Sequence, residues 1–133
     1  MARGRKTRIT VINDDPAFLE LMNVLLEEDS GYEVTTFEAV DIPSLEPVRR
    51  SRPDLLIVDL VMPAGETGWR FLEGARRDDE LRSIPVIVCS ADVASLRRRA
   101  DELAAIPRLR VLPKPFDIDQ LLSLVEEQLR TPA

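Results

Sequence analysis

Five short apolar runs, each followed by a segment with helical periodicity, alternate along nearly the whole chain. Arg8–Asn13, Tyr32–Phe37, Asp54–Asp59, Pro85–Cys89 and Leu109–Leu112 read as strands. The third is the most constraining. Leu55-Leu56-Ile57-Val58 is apolar on both faces, so it suits a strand covered on both sides, as in a parallel sheet. Strands that alternate with helices imply right-handed crossovers and a three-layer α/β/α sandwich with one mostly parallel five-stranded sheet.

The intervening segments carry helix signals of differing quality. Asp15 stands as an N-cap with Pro16 in the first turn, and Phe18, Leu21, Met22 and Leu25 are the expected buried stripe of the first helix. Ser30-Gly31 ends it. Between Glu38 and Pro53, Pro43 and Pro47 interrupt the pattern, so the second helix is expected to be short or displaced. A third helix is expected from about Trp69 to Arg77. The fourth should bury Val93, Leu96, Ala100 and Leu103 and expose Arg97, Arg98, Arg99, Asp101 and Glu102, with Arg97 and Arg98 pairing to the acids four residues on. Asp117 is expected to cap a fifth helix with the stripe Ile118, Leu121, Leu122, Val125 and Leu129. One domain over 1–133 is expected, with a core at 7–130, a basic arm at 1–6 and a tail at 131–133, leaving no room for an effector domain.

Composition removes several kinds of chemistry. The chain has 133 residues, no histidine and one cysteine. Ser-His and Cys-His nucleophiles, His-ligated zinc and a histidine phosphodonor are therefore excluded. Cys89, inside an apolar run, reads as a buried core residue, and the lack of disulfides fits a reducing cytoplasm. A net charge of −6 argues against nucleic acid as partner, and no apolar run reaches the length of a membrane helix.

A parallel sheet gathers its strand C-termini along one edge, where α/β proteins place their chemistry. That edge should receive Asn13 and Asp14 from the first strand, Asp59 from the third, Ser90 from the fourth and Lys114 from the fifth. Two carboxylates that repel suit a divalent cation with oxygen ligands, and Mg²⁺ accepts one or two carboxylates with phosphate oxygens and water. A carboxylate is also a nucleophile toward phosphorus, and the transferring group needs cations around it. Asp59 with Asp14, Lys114 and Ser90 therefore reads as a phosphoryl-accepting site.

The runs Val11-Ile12-Asn13-Asp14-Asp15-Pro16, Ile57-Val58-Asp59-Leu60-Val61-Met62-Pro63, Val88-Cys89-Ser90-Ala91 and Lys114-Pro115-Phe116 resemble the response-regulator receiver domain of two-component signalling. The resemblance spans roughly residues 7–130 and implies the flavodoxin-like fold. It implies that Asp59 accepts a phosphoryl group from a phosphohistidine on a histidine kinase or a histidine phosphotransfer protein, in a Mg²⁺-dependent reaction, and signals through protein contact. Asp14 and Asp59 would hold the metal directly, Val61 through its backbone carbonyl and Asn13 through water. Ser90 and Lys114 would hold the phosphoryl group, small Ala91 would leave access open, and Pro115 would take a cis bond. The chain would be a cytoplasmic signalling module and not an enzyme, beyond phosphorylating and dephosphorylating itself.

Three departures from the family pattern stand out. Asn13 replaces the first member of the usual acidic pair, which implies weaker Mg²⁺ binding. Gly68 lies one position later than the family's glycine, implying a one-residue insertion in the loop after Asp59. Val111 replaces the aromatic three residues before the lysine, so output cannot use the family's aromatic switch. These departures motivate the alternative of a pseudo-receiver, an interaction domain that works without phosphate, while retention of Asp14, Asp59, Ser90 and Lys114 speaks against it. A phosphatase of the haloacid-dehalogenase type would need an aspartate where Val61 stands. A flavodoxin-type flavin binder would need a phosphate cradle where Asp14-Asp15-Pro16 presents negative charge.

Val61 cannot hold an attacking water, so the resemblance implies slow loss of the phosphoryl group. Replacing Val61 by Asn should raise the first-order rate of phosphate release from the phosphorylated protein; an unchanged rate removes Val61 from that role.

Overall fold

The computed structural model describes residues 6–13, 15–38, 45–59, 67–90, 93–113 and 116–130. Five parallel strands, β1 (Arg8–Asn13), β2 (Glu33–Glu38), β3 (Leu55–Asp59), β4 (Val86–Ser90) and β5 (Leu109–Pro113), form one sheet in the order β2-β1-β3-β4-β5. The helices are α1 (Pro16–Met22), α2 (Glu46–Ser51), α3 (Thr67–Arg77), α4 (Val93–Arg98), α5 (Ala100–Ala104) and α6 (Ile118–Arg130). The parallel five-stranded sheet with helices on both faces, expected from strand–helix alternation, is the one observed, and it is the flavodoxin-like fold that the resemblance implies.

Strand parity divides the core in two. Leu55 and Ile57 of β3 join Ile9, Val11, Ile87 and Cys89 beneath α1 and α6. Leu56 and Val58 join Ile12 and Val88 beneath α2, α3 and the α4–α5 segment. Every residue of β3 is buried, which explains its continuous apolar composition. Cys89 is fully buried and in no disulfide, a core residue as expected.

The first helix differs from expectation in two ways. Its buried residues are Leu19, Met22, Leu25 and Leu26, whereas Leu21 is 45 % exposed. Leu21 lies about 100° round the helix from Met22 and so points off the sheet. After Met22 the chain continues as π-helical turns over Asn23–Glu28, which widen the helix and keep both Leu25 and Leu26 inward. Gly31, at φ 79°, makes the turn that follows. In α2, Pro47 stands in the first turn, so it helps start the helix and does not interrupt it. Pro43 lies outside the described residues.

The expected single fourth helix is two short pieces, because Arg99 leaves helical geometry (φ −111°, ψ 19°) between α4 and α5. Leu96 and Leu103 are buried as expected, but Ala100 is exposed; Arg99 pairs with Glu102 at 3.9 Å. In α6, Leu121 and Val125 are fully buried, while Ile118, expected in the stripe, is 49 % exposed because it occupies the first turn beyond the sheet edge. Gln128 takes the inward position instead. Its Nε2 donates to the carbonyls of Val86 (3.1 Å) and Arg108 (2.7 Å), tying α6 to the starts of β4 and β5.

Away from the strand C-termini, Arg49 of α2 bridges to Asp78, Nε to Oδ1 at 2.7 Å, and Asp78 also accepts from the backbone N–H groups of Glu80 and Leu81. The hydrogen bond from Arg49, foremost, holds the Asp78 carboxyl below its ordinary range. A carboxylate depressed in the folded state stabilises fully above the unfolded value and loses that contribution as pH falls through the folded one. Asp78→Asn should therefore be less stable than the parent near pH 7, with the gap narrowing by about pH 3. Urea melts at the two pH values check this; a gap that stays constant rules it out.

Candidate functional site

Parity and register deliver two polar side chains to one place. Asn13 follows Ile9 and Val11 on the α1–α6 face of β1, and Asp59 follows Leu55 and Ile57 on the same face of β3. The pairing Ile12↔Val58 brings their C-terminal neighbours side by side. Both are buried, Asn13 at 1 % and Asp59 at 5 % exposure, and Asn13 Nδ2 donates to Asp59 Oδ2 at 3.1 Å. A buried carboxylate is tolerated only where donors satisfy it, and a hydrogen bond to a charged group contributes about 1.5–3 kcal/mol.

Asn13 is itself held. Its Oδ1 accepts from the backbone N–H of Asp15 at 2.8 Å, and Asp15 in turn caps α1 by accepting from the N–H of Ala17 at 3.0 Å. Asp15 is thus the cap, as expected, and not a second site carboxylate. The side-chain turn from Asn13 to a backbone N–H two residues on is a local pattern readable in Asn-Asp-Asp-Pro. Its consequence, an N–H aimed at Asp59, was not foreseen, because the pairing across β1 and β3 is non-local.

The remaining residues are placed by the backbone alone or not at all. Ser90 ends β4 at the same edge, one step beyond the Asp59↔Cys89 pairing, and is paired with Pro113 of β5, which immediately precedes Lys114. The Ser90 side chain, and Asp14, Leu60, Val61, Ala91, Lys114 and Pro115 entirely, lie outside the described residues. Phe116 anchors the segment after Lys114 to the first turn of α1, packing edge-on against Phe18 with centroids 6.4 Å apart. Gly68 falls in the first turn of α3, which begins at Thr67.

As for a metal, the Asp59 carboxylate is a fitting oxygen ligand. Asn13 as oriented offers a donor, which a cation cannot use. No cluster of three or more acidic, histidine or cysteine side chains forms among the described residues.

Val111 is half-buried and lines an open, mostly apolar groove of about 380 Å³ with Leu96, Arg97, Ala100, Leu103, Ala104, Leu109 and Pro113. The valine leaves space beside the α4–α5 break that a larger side chain would occupy.

A family model described as the response regulator receiver domain matches residues 9–126, and the chain belongs to that family. It is the receiver domain of the response regulators of two-component signal transduction. The DNA-binding dual master transcriptional regulator RpaA of Synechocystis sp. is 32% identical over 130 residues, 92% of this chain and 49% of that protein. Sporulation initiation phosphotransferase F of Bacillus subtilis is 30% identical over 124 residues, 92% of this chain and 93% of that protein. The chain spans about half the length of several curated relatives, RpaA and the response regulator MprA of Mycobacterium leprae among them. Among solved structures, a chemotaxis protein CheY4 of Vibrio cholerae superposes with a TM-score of 0.79 at 22% identity, covering 94% of this chain and 100% of that one. A receiver domain protein of Methanospirillum hungatei superposes with a TM-score of 0.77 at 26% identity, covering 95% of each chain.

Because the groove beside Val111 is open, Val111→Phe should be accommodated and raise the melting temperature by a few degrees, about 1 kcal/mol from added apolar burial. A lower melting temperature in a thermal scan would mean that the groove closes in solution.

Proposed function

We propose that this receiver takes a phosphoryl group onto Asp59 from a phosphohistidine of a histidine kinase or histidine phosphotransfer protein in the cytoplasm, and signals through protein contact. The observation that carries this reading is the buried Asp59 carboxylate at the C-terminal end of the central strand, held by Asn13. The near full-length match to a phosphotransferase of similar size supports a relay role. Among the described residues no helix is long and apolar enough to cross a membrane.

In the transfer, an Asp59 oxygen attacks phosphorus, the new O–P bond forms and the P–N bond to the imidazole breaks. The electron pair stays on that nitrogen, which takes up a proton. Asn13 Nδ2–H holds the second carboxylate oxygen throughout. Ser90 would donate to a phosphoryl oxygen and Lys114 would pair with its charge, each arriving from its own strand end. Mg²⁺, held by the Asp14 and Asp59 carboxylates and the Val61 carbonyl, would neutralise charge on the transferring group. Asn13 reaches such a metal through water only if its amide turns over and releases the Asp15 N–H. With Val111 in place of an aromatic, output would pass through rearrangement of α4 and β5. No separate substrate is turned over: catalysis is confined to the domain's own phosphorylation and dephosphorylation.

Intact mass after incubation with Mg²⁺ and a small phosphodonor should show one added phosphate on the parent and none on Asp59→Ala. No addition to the parent would leave the pseudo-receiver reading, and addition surviving Asp59→Ala would place the acceptor elsewhere. A phosphoryl mimic should also shift the α4 amide resonances; unmoved α4 amides would exclude output through that face.

A further inference from the structure

The amide of Asn13 cannot be reversed without penalty. The Asp15 N–H is a donor only, so it requires Oδ1 on its side, at the observed 2.8 Å. That leaves Nδ2, a donor only, toward Asp59 Oδ2 at 3.1 Å. Reversal would set donor against donor at Asp15 and oxygen against carboxylate oxygen at Asp59. Both side chains are buried, so bulk water cannot relieve the clash at Asp59. Backbone geometry at the start of α1, where Asp15 is N-cap and Pro16 follows, therefore dictates which end of Asn13 meets the phosphoacceptor.

We propose that Asn13 is a positioning residue that takes over part of the metal's work at Asp59, making phosphorylation of this receiver only weakly dependent on a divalent cation. The inference rests on Asp59 being the phosphoacceptor. Two physical effects act together. An aspartate at position 13 would add a further negative charge to those of Asp14 and Asp59, which a cation would have to neutralise; neutral Asn lowers that demand to what the two remaining carboxylates impose. The Nδ2–H then supplies a fixed positive dipole to Oδ2, directing attack through Oδ1. It keeps the same contact with the carbonyl oxygen of the aspartyl phosphate once the O–P bond has formed.

The test uses the full chain with phosphoramidate as donor, in EDTA and in Mg²⁺, followed by intact mass, alongside Mg²⁺ titration of the ¹⁵N-labelled protein. The chain has two asparagines, Asn13 and Asn23, so the Asn13 side-chain NH₂ signal is identified by its loss in Asn13→Asp. The parent should be phosphorylated in EDTA within about tenfold of its rate in Mg²⁺, one charge-assisted hydrogen bond standing in for the cation. Its Asn13 NH₂ signal should persist at saturating Mg²⁺. Asn13→Asp should bind Mg²⁺ on the order of tenfold more tightly, from one added charge a few ångströms away, and should lose phosphorylation in EDTA. Phosphorylation of the parent in Mg²⁺ but not in EDTA would overturn the role of Asn13 while leaving Asp59 as acceptor. No phosphorylation in either condition would overturn the receiver chemistry itself. The parent alone decides between these outcomes, whatever the stability of the variant.

Discussion

The pairing of β1 with β3 is the constraint on which the site depends. Its register, with Ile9 against Leu55 and Ile12 against Val58, sets the C-terminal ends of the two strands level. Because side chains alternate, a slip of one residue would turn Asp59 to the opposite face and bury its charge among the apolar side chains beneath α2 and α3. The continuous apolar composition of β3 would tolerate such a slip. At the start of the pairing the Arg8 N–H donates to Asp54 Oδ2 at 2.8 Å, a side-chain contact that marks the register β3 does not hold by itself.

The same contact joins local and non-local structure. Asp15 caps α1, its own N–H fixes Asn13, and Asn13 holds Asp59 across the sheet. The start of a helix and the proposed phosphoacceptor are thereby one hydrogen-bonded unit. On the other side of the edge, Phe116 against Phe18 ties the chain after Lys114 to the same helix turn. Thus α1 organises the site from both flanks, although it contributes no charge of its own to Asp59.

The α4–α5 segment is built more loosely. A single helix would carry a shift at Ser90 rigidly along its length. The break at Arg99 leaves two pieces, six and five residues long, that rely on Leu96 and Leu103 for anchorage. The groove beside Val111 lies against that break. A segment with few turns and open space beneath it can rearrange without an aromatic side chain moving through the core.

The five strands and the meeting of Asn13 with Asp59 at one sheet edge were legible from apolar runs and chain alternation, because a fully covered strand admits few residue types. The cap at Asp15 was legible because capping is local. Which leucines of α1 face the sheet was not: Leu21 and Leu19 fit the helical period comparably, and only contact with the sheet and the π-helical turns at Asn23–Glu28 decided between them. The break at Arg99 likewise leaves no mark in the sequence pattern. The residue types at the site, and hence its possible chemistry, belong to the sequence alone. The direction in which Asn13 points its donor belongs to the tertiary structure, because it takes the Asp15 N–H on one side and the Asp59 carboxylate, 46 residues away, on the other.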